Sequence, residues 1–236
     1  MALFAGIFWG MARCFELATA GPGRAKLDPA TIATSLGQPG ILFQIGATAL
    51  SFGTAALILL LWRRRPTAEE RAQSRMASGR IDTWALAIGT GLLTTLLTTG
   101  LSYLADVASI DITPANEAMI RGLTAQSPWL LIPFAAMLAP VYEEVLFRRV
   151  FYGRLLAAGR PLLGLVLSAG LFAFMHEIPV LGGNPWTVTL ALWTVYAGLG
   201  VAFALLYRRC RTLWAPIAAH ATHNLLACLL LLNELG

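Results

Sequence analysis

Seven stretches of this 236-residue chain are apolar almost without interruption: residues 2–20, 41–62, 82–105, 130–153, 161–176, 186–207 and 214–233. A bilayer core takes about 20 helical residues to cross, so most of these runs are long enough to span. The run at 161–176 is short and is expected to continue past Glu177. Hydrocarbon offers no water to backbone N–H and C=O groups, so only helices and closed barrels cross it. Barrel strands alternate apolar and polar side chains, and that alternation is missing here. Hydrophobic residues make up 57% and charged residues 12%, against about 25% charged in soluble domains. The expected fold is an all-α polytopic transmembrane bundle of about seven helices, with six to eight as the range.

The net charge of +5 could suggest nucleic acid, but its distribution argues against such a partner. Of the 17 cations 16 are arginine, and 13 of them fall in three short stretches. These hold Arg63, Arg64, Arg65, Arg71, Arg75 and Arg80; then Arg148, Arg149, Arg154 and Arg160; then Arg208, Arg209 and Arg211. Each lies between apolar runs, as cytoplasmic loops do under the positive-inside rule. The expected location is the cytoplasmic (inner) membrane, multi-pass, with the N-terminus inside. Anionic headgroups of the bilayer are then natural partners. Ala18-Thr19-Ala20 resembles a signal-peptidase site, yet no basic segment precedes the first apolar run, so a retained helix or re-entrant segment is expected. Trp62, Trp84, Tyr207 and Trp214 are expected to form an inner aromatic belt, with Trp129 and Trp186 on the outer one. The cysteines (Cys14, Cys210, Cys228) are odd in number and scattered, which implies no disulfide framework.

Residues 1–126 are read as N-terminal membrane helices with a basic, solvated linker at 63–81, and 127–236 as the part that carries chemistry, the two forming one membrane domain. Ionisable side chains inside a span are costly, and each marks a functional-site candidate. Glu143, Glu144 and Arg148 share one helix; His176 ends another run; His220, His223 and Asn224 lie on the last. Glu144 and Arg148 are four apart with the acid first, the favourable order for an ion pair. Glu143 lies about 100° around the helix from Glu144, so the two carboxylates face different neighbours. Pro140 should kink the helix beside them. At 1.5 Å per residue Glu143 is roughly 16 Å from Arg154, and similar reckoning puts His176, His220 and Asn224 at mid-bilayer too.

The motifs Glu143-Glu144-x-x-x-Arg148, Phe172-x-x-x-His176 and His220-x-x-x-Asn224, in this order on three apolar helices, resemble the CPBP family. It comprises the CAAX prenyl proteases (Ras-converting endopeptidases) and bacterial bacteriocin-processing and self-immunity proteins. The resemblance covers roughly residues 127–230; Arg149 departs from it, since relatives often carry glycine there. It implies an intramembrane endopeptidase acting on a membrane-associated peptide or protein. Glu143 would be general base and His176 would help hold the water, while His220 and Asn224 would stabilise the oxyanion. Glu144 and Arg148 would support them, Glu144 by orienting His176 or by locking the site through Arg148. Two histidines and a glutamate (Glu143, His176, His220) are also a zinc set with an open position, so Zn2+ stays an alternative although the HExxH spacing is absent. A non-catalytic immunity or scaffold protein of the same fold is the competing reading. His223 and Phe172 are read as packing residues, and Glu177 is placed at the outer rim without a role. Substrate identity and oligomeric state are not legible.

Overall fold

The computed structural model of the chain describes residues 40–63, 65–179 and 183–235. The run at 2–20 and Cys14 lie outside them. Every regular element among the described residues is helical: α1 Ile41–Arg63, α2 Ala68–Ser78, α3 Ile81–Val107, α4 Glu117–Gln126, α5 Pro128–Ala157, α6 Pro161–His176, α7 Trp186–Cys210 and α8 Trp214–Leu235. Five of them (α1, α3, α5, α7 and α8) are long and apolar enough to cross a membrane. The chain is thus an all-helical polytopic membrane bundle.

Helix α6 departs from expectation by stopping at His176, with Glu177 already extended at φ −133° and ψ 94°. Pro179 accounts for this, because proline disfavours helical backbone in the residue before it, here Ile178. Sixteen residues give a helix of about 24 Å, short of a full crossing. Its C-terminus therefore leaves irregular backbone at depth, which lipid tolerates only where protein buries it.

The 63–81 linker is also more ordered than its composition suggests. Thr67 and Glu70 form a reciprocal capping box at the start of α2. The helix is tied down where Ser74 Oγ bonds Thr212 Oγ1 at 2.8 Å and where Glu70 meets Arg149 at 2.7 Å. Arg149 also donates to the hydroxyl of Tyr207 at 3.1 Å. Tyr207 is accordingly buried rather than part of an aromatic belt, whereas Trp62, Trp129, Trp186 and Trp214 are exposed as a belt requires. The opposite end of the bundle has its own clamp. Buried Glu177 accepts from the backbone N–H of Ala115 at 3.0 Å and from Asn184 Nδ2 at 2.9 Å, and Trp193 Nε1 donates to its carbonyl at 2.7 Å. Glu177 is thus a buried organiser of two loops and not a rim residue.

Helices α3 and α8 pack closely, as do α6 and α7, while α1 and α6 lean on the C-terminal half of α5. Membrane helices approach through small residues, since lipid removes the hydrophobic drive between them. Gly91 on α3 is such a contact: a Cβ there would stand 2.6 Å from the Ala219 carbonyl oxygen and from Thr222 Cβ. Thr94 and Thr95 hydroxyls bond back to the Gly91 carbonyl, each at 2.9 Å, as the threonine-rich stretch suggests. Gly91→Val should therefore lower the thermal unfolding midpoint in detergent, at an overpacking cost of about 1–3 kcal/mol. Gly89→Ala, which meets nothing within 4 Å, should leave it unchanged or raise it.

Candidate active site

Helix α5 is not uniformly α-helical. Two π segments, Ile132–Leu138 and Val145–Tyr152, flank a short α stretch, Ala139–Glu144, that carries both carboxylates. Such π-bulges recur at functional sites. Here the sequence supplies a cause. The N–H of Ala139 bonds the carbonyl of Phe134, five residues back, so Ala135 must look one residue further on for a donor. That residue is Pro140, which has no N–H. The Ala135 carbonyl is instead satisfied by Asn224 Nδ2 at 2.7 Å, across from α8. Pro140 thus acts through this freed carbonyl, which pins the motif asparagine, and not through a simple kink.

The two glutamates divide their work as their angular separation predicts. Glu144 is fully buried and paired with Arg148 Nε at 3.0 Å. The Arg148 guanidinium is itself fully buried, over the rings of Phe172 (4.5 Å), Phe203 (5.4 Å) and Phe147 (5.8 Å). The other oxygen of Glu144 accepts from His220 Nδ1 at 2.9 Å. His176 Nδ1 donates to the Phe172 carbonyl at 2.8 Å within its own helix. Glu144 therefore orients His220, not His176. A carboxylate and a carbonyl can only accept, so both Nδ1 atoms carry protons. Both Nε2 atoms point the other way, at Glu143 Oε2, 3.6 Å from His176 and 3.9 Å from His220.

Glu143 Oε2 is buried and makes no hydrogen bond within the protein. It lies in a cavity of about 380 Å³ lined mostly by apolar side chains, with His176, His220, His223 and Asn224 on its wall. The structure therefore brings all four candidate catalytic residues to one cavity. His223 Nδ1 is 3.3 Å from Thr95 Oγ1, a packing contact to α3. Phe172 packs against His176 with ring centroids 4.3 Å apart and planes tilted by 38°, and it closes the arginine's aromatic box. The residue reading missed Tyr142, whose buried hydroxyl lines the same cavity without a hydrogen-bond partner; its spacing carries no signal that would have marked it. The cavity also takes Gln44 and Thr48 from α1, so it draws on both sides of the 126/127 division.

Among the described residues no group of three His, Cys, Asp or Glu side chains is arranged to hold a metal ion. Tetrahedral zinc ligands, at about 2.0–2.2 Å from the metal, stand roughly 3.3–3.6 Å from one another. Glu143 Oε2 lies 3.6 Å from His176 Nε2, at the edge of that spacing, and 3.9 Å from His220 Nε2, beyond it.

Residues 125–226 match the family model described as Type II CAAX prenyl endopeptidase Rce1-like. The match covers this stretch and not the rest of the chain. It begins in α4, ends in α8 and contains every motif residue. The chain is 25% identical over 170 residues to the proposed membrane peptidase YdiL of Bacillus subtilis (strain 168), covering 71% of this chain and 64% of that protein. It is 28% identical over 120 residues to the membrane-embedded CAAX protease MroQ of Staphylococcus aureus (strain USA300), covering 48% of this chain and 43% of that protein. The chain thus spans less than two thirds of the length of either relative. No solved structure matches it.

The Pro140–Asn224 relation is testable on the folded protein alone. Asn224→Ala leaves a buried carbonyl unsatisfied and should cost about 1–3 kcal/mol. In a Pro140→Ala background the N–H of residue 140 can take over, and the loss should shrink. Equal losses in both backgrounds, read as unfolding midpoints, would show that the two residues are not coupled.

Proposed function

We propose that the protein is an intramembrane endopeptidase that hydrolyses a peptide bond of a membrane-associated peptide or protein. The supporting observation is the unbonded Glu143 oxygen, faced by two imidazole nitrogens at 3.6 and 3.9 Å in a mostly apolar cavity. Gaps of that length are bridged by one water molecule. Glu143 takes a proton from this water as it attacks the scissile carbonyl, and His176 Nε2 accepts the water's second hydrogen bond and fixes its direction. A glutamate beside a properly placed water needs no serine or cysteine nucleophile.

His220 and Asn224 then face the developing oxyanion. The Glu144 carboxylate accepts a hydrogen bond from Nδ1–H, so His220 donates from Nε2 only when both ring nitrogens are protonated, with Glu144 as its counter-ion. One N–H of the Asn224 amide is held by Ala135, and the second is free to donate. Proton return to the leaving amine falls to Glu143. No step runs through a metal. The three arginine-rich stretches support a cytoplasmic position for the α1–α2, α5–α6 and α7–α8 turns, in an inner-membrane protein.

A scaffold or immunity protein of the same fold is the reading to be separated from this one. Glu143→Gln keeps the volume and removes the base. Comparing membrane peptides in cells carrying the parent chain and the variant should show a defined set of cleavage products lost, with the variant's amount and unfolding midpoint unchanged. An identical peptide pattern would favour the scaffold. Purified parent protein should keep its cleavage activity after exhaustive chelation, and its loss with recovery on adding zinc would overturn the metal-free mechanism.

A further inference from the structure

The cavity is asymmetric along the bundle axis. On α5 its lining runs from Phe134 to Glu143 and includes nothing beyond, although the helix continues to Ala157. On α8 it runs from His220 to Leu231, and on α6 it takes Phe172, Met175 and His176 at the C-terminal end. Residues 114–117, whose Ala115 is held by Glu177, lie at its far edge, and Ala115 is exposed. All these positions point away from the arginine-bearing turns.

Towards the basic end the way is closed. Phe147, Arg148, Phe203, Leu206 and Ala215 are buried in the packed core between Glu143 and the turns that hold Arg154, Arg208 and Arg211. Glu143 and His220 therefore form the floor of a pocket whose mouth is at the opposite end. We infer that the pocket is loaded from the extracytoplasmic side of the membrane, by an apolar stretch of polypeptide that enters in extended form. The occupant's chemistry follows from walls such as Phe134, Met175, Leu199 and Leu231. Nine helical residues separate Phe134 from Glu143, about 13 Å. Extended chain covers that in about four residues, so the bond cut lies about four residues inside the mouth. The substrate part of this inference rests on the peptidase reading; the access part does not.

Cysteines introduced one at a time, as Ala115→Cys and, for the basic-end control, Arg75→Cys, would be exposed to a membrane-impermeant charged maleimide on intact cells and again after permeabilisation, with the parent chain and its three native cysteines as blank. The expected result is labelling of Ala115→Cys before permeabilisation and of Arg75→Cys only after it. Labelling of Ala115→Cys only after permeabilisation, or under neither condition, overturns the access route. External labelling should also remove the same membrane peptides that Glu143→Gln removes. Labelling without that loss overturns the substrate route. If Glu143→Gln removes no peptides while the labelling holds, the peptidase reading fails and the access route stands.

Discussion

Hydrocarbon supplies no hydrogen bonds, and the arrangement of this bundle follows from the places where its helices give them up. Pro140 and the π register of α5 leave the Ala135 carbonyl without a backbone donor, and Asn224 answers it from another helix. Helix α6 stops before crossing, and the carboxylate and carbonyl of Glu177 answer three donors around the stopped end. In each case a local break in the helix is repaired by a side chain from elsewhere in the sequence. One repair ties α5 to α8 beside the candidate site, and the other ties the end of α6 to α7 and to the loops that hold Ala115 and Asn184.

The charges obey a similar economy. A buried pair loses about 3–5 kcal/mol when one partner is removed, because the other is left uncompensated. Arg148 is enclosed by three phenylalanine rings and paired with Glu144, which in turn holds His220. That chain fixes one imidazole through its Nδ1 and leaves Glu143, on the adjacent face, as the carboxylate without a cation. Two residues of the same type, one after the other, thus receive different environments from the helix geometry alone.

Much of this was legible in the residues. Six of the seven apolar runs are helices, and all but α6, which stops short of its expected end, finish within a few residues of it, because uninterrupted apolar runs in lipid have few alternatives. The Glu144–Arg148 pair follows from spacing, and the shared depth of Glu143, His176, His220 and Asn224 follows from counting along helices. What was not legible depends on contacts distant in sequence. Nothing near Glu144 says that it reaches His220 instead of His176. The burial of Glu177 needs Ala115 and Asn184, and that of Tyr207 needs Arg149. Two local signals were available: Ile178-Pro179 marks the end of α6, and Thr67-x-x-Glu70 marks the start of α2 within what reads as a solvated linker. The π register of α5 leaves no comparable trace, apart from the prolines at 133 and 140.

The central claim is that Glu143 and His176 share one solvent molecule in a pocket that His220 also faces. A density map of the purified protein at a resolution that shows ordered water tests it most directly. The account predicts a water peak within hydrogen-bond distance of Glu143 Oε2 and His176 Nε2, with His220 Nε2 facing the same pocket. A dry contact among the three side chains, imidazoles turned away from Glu143, or a metal with ligand distances near 2.1 Å would contradict it.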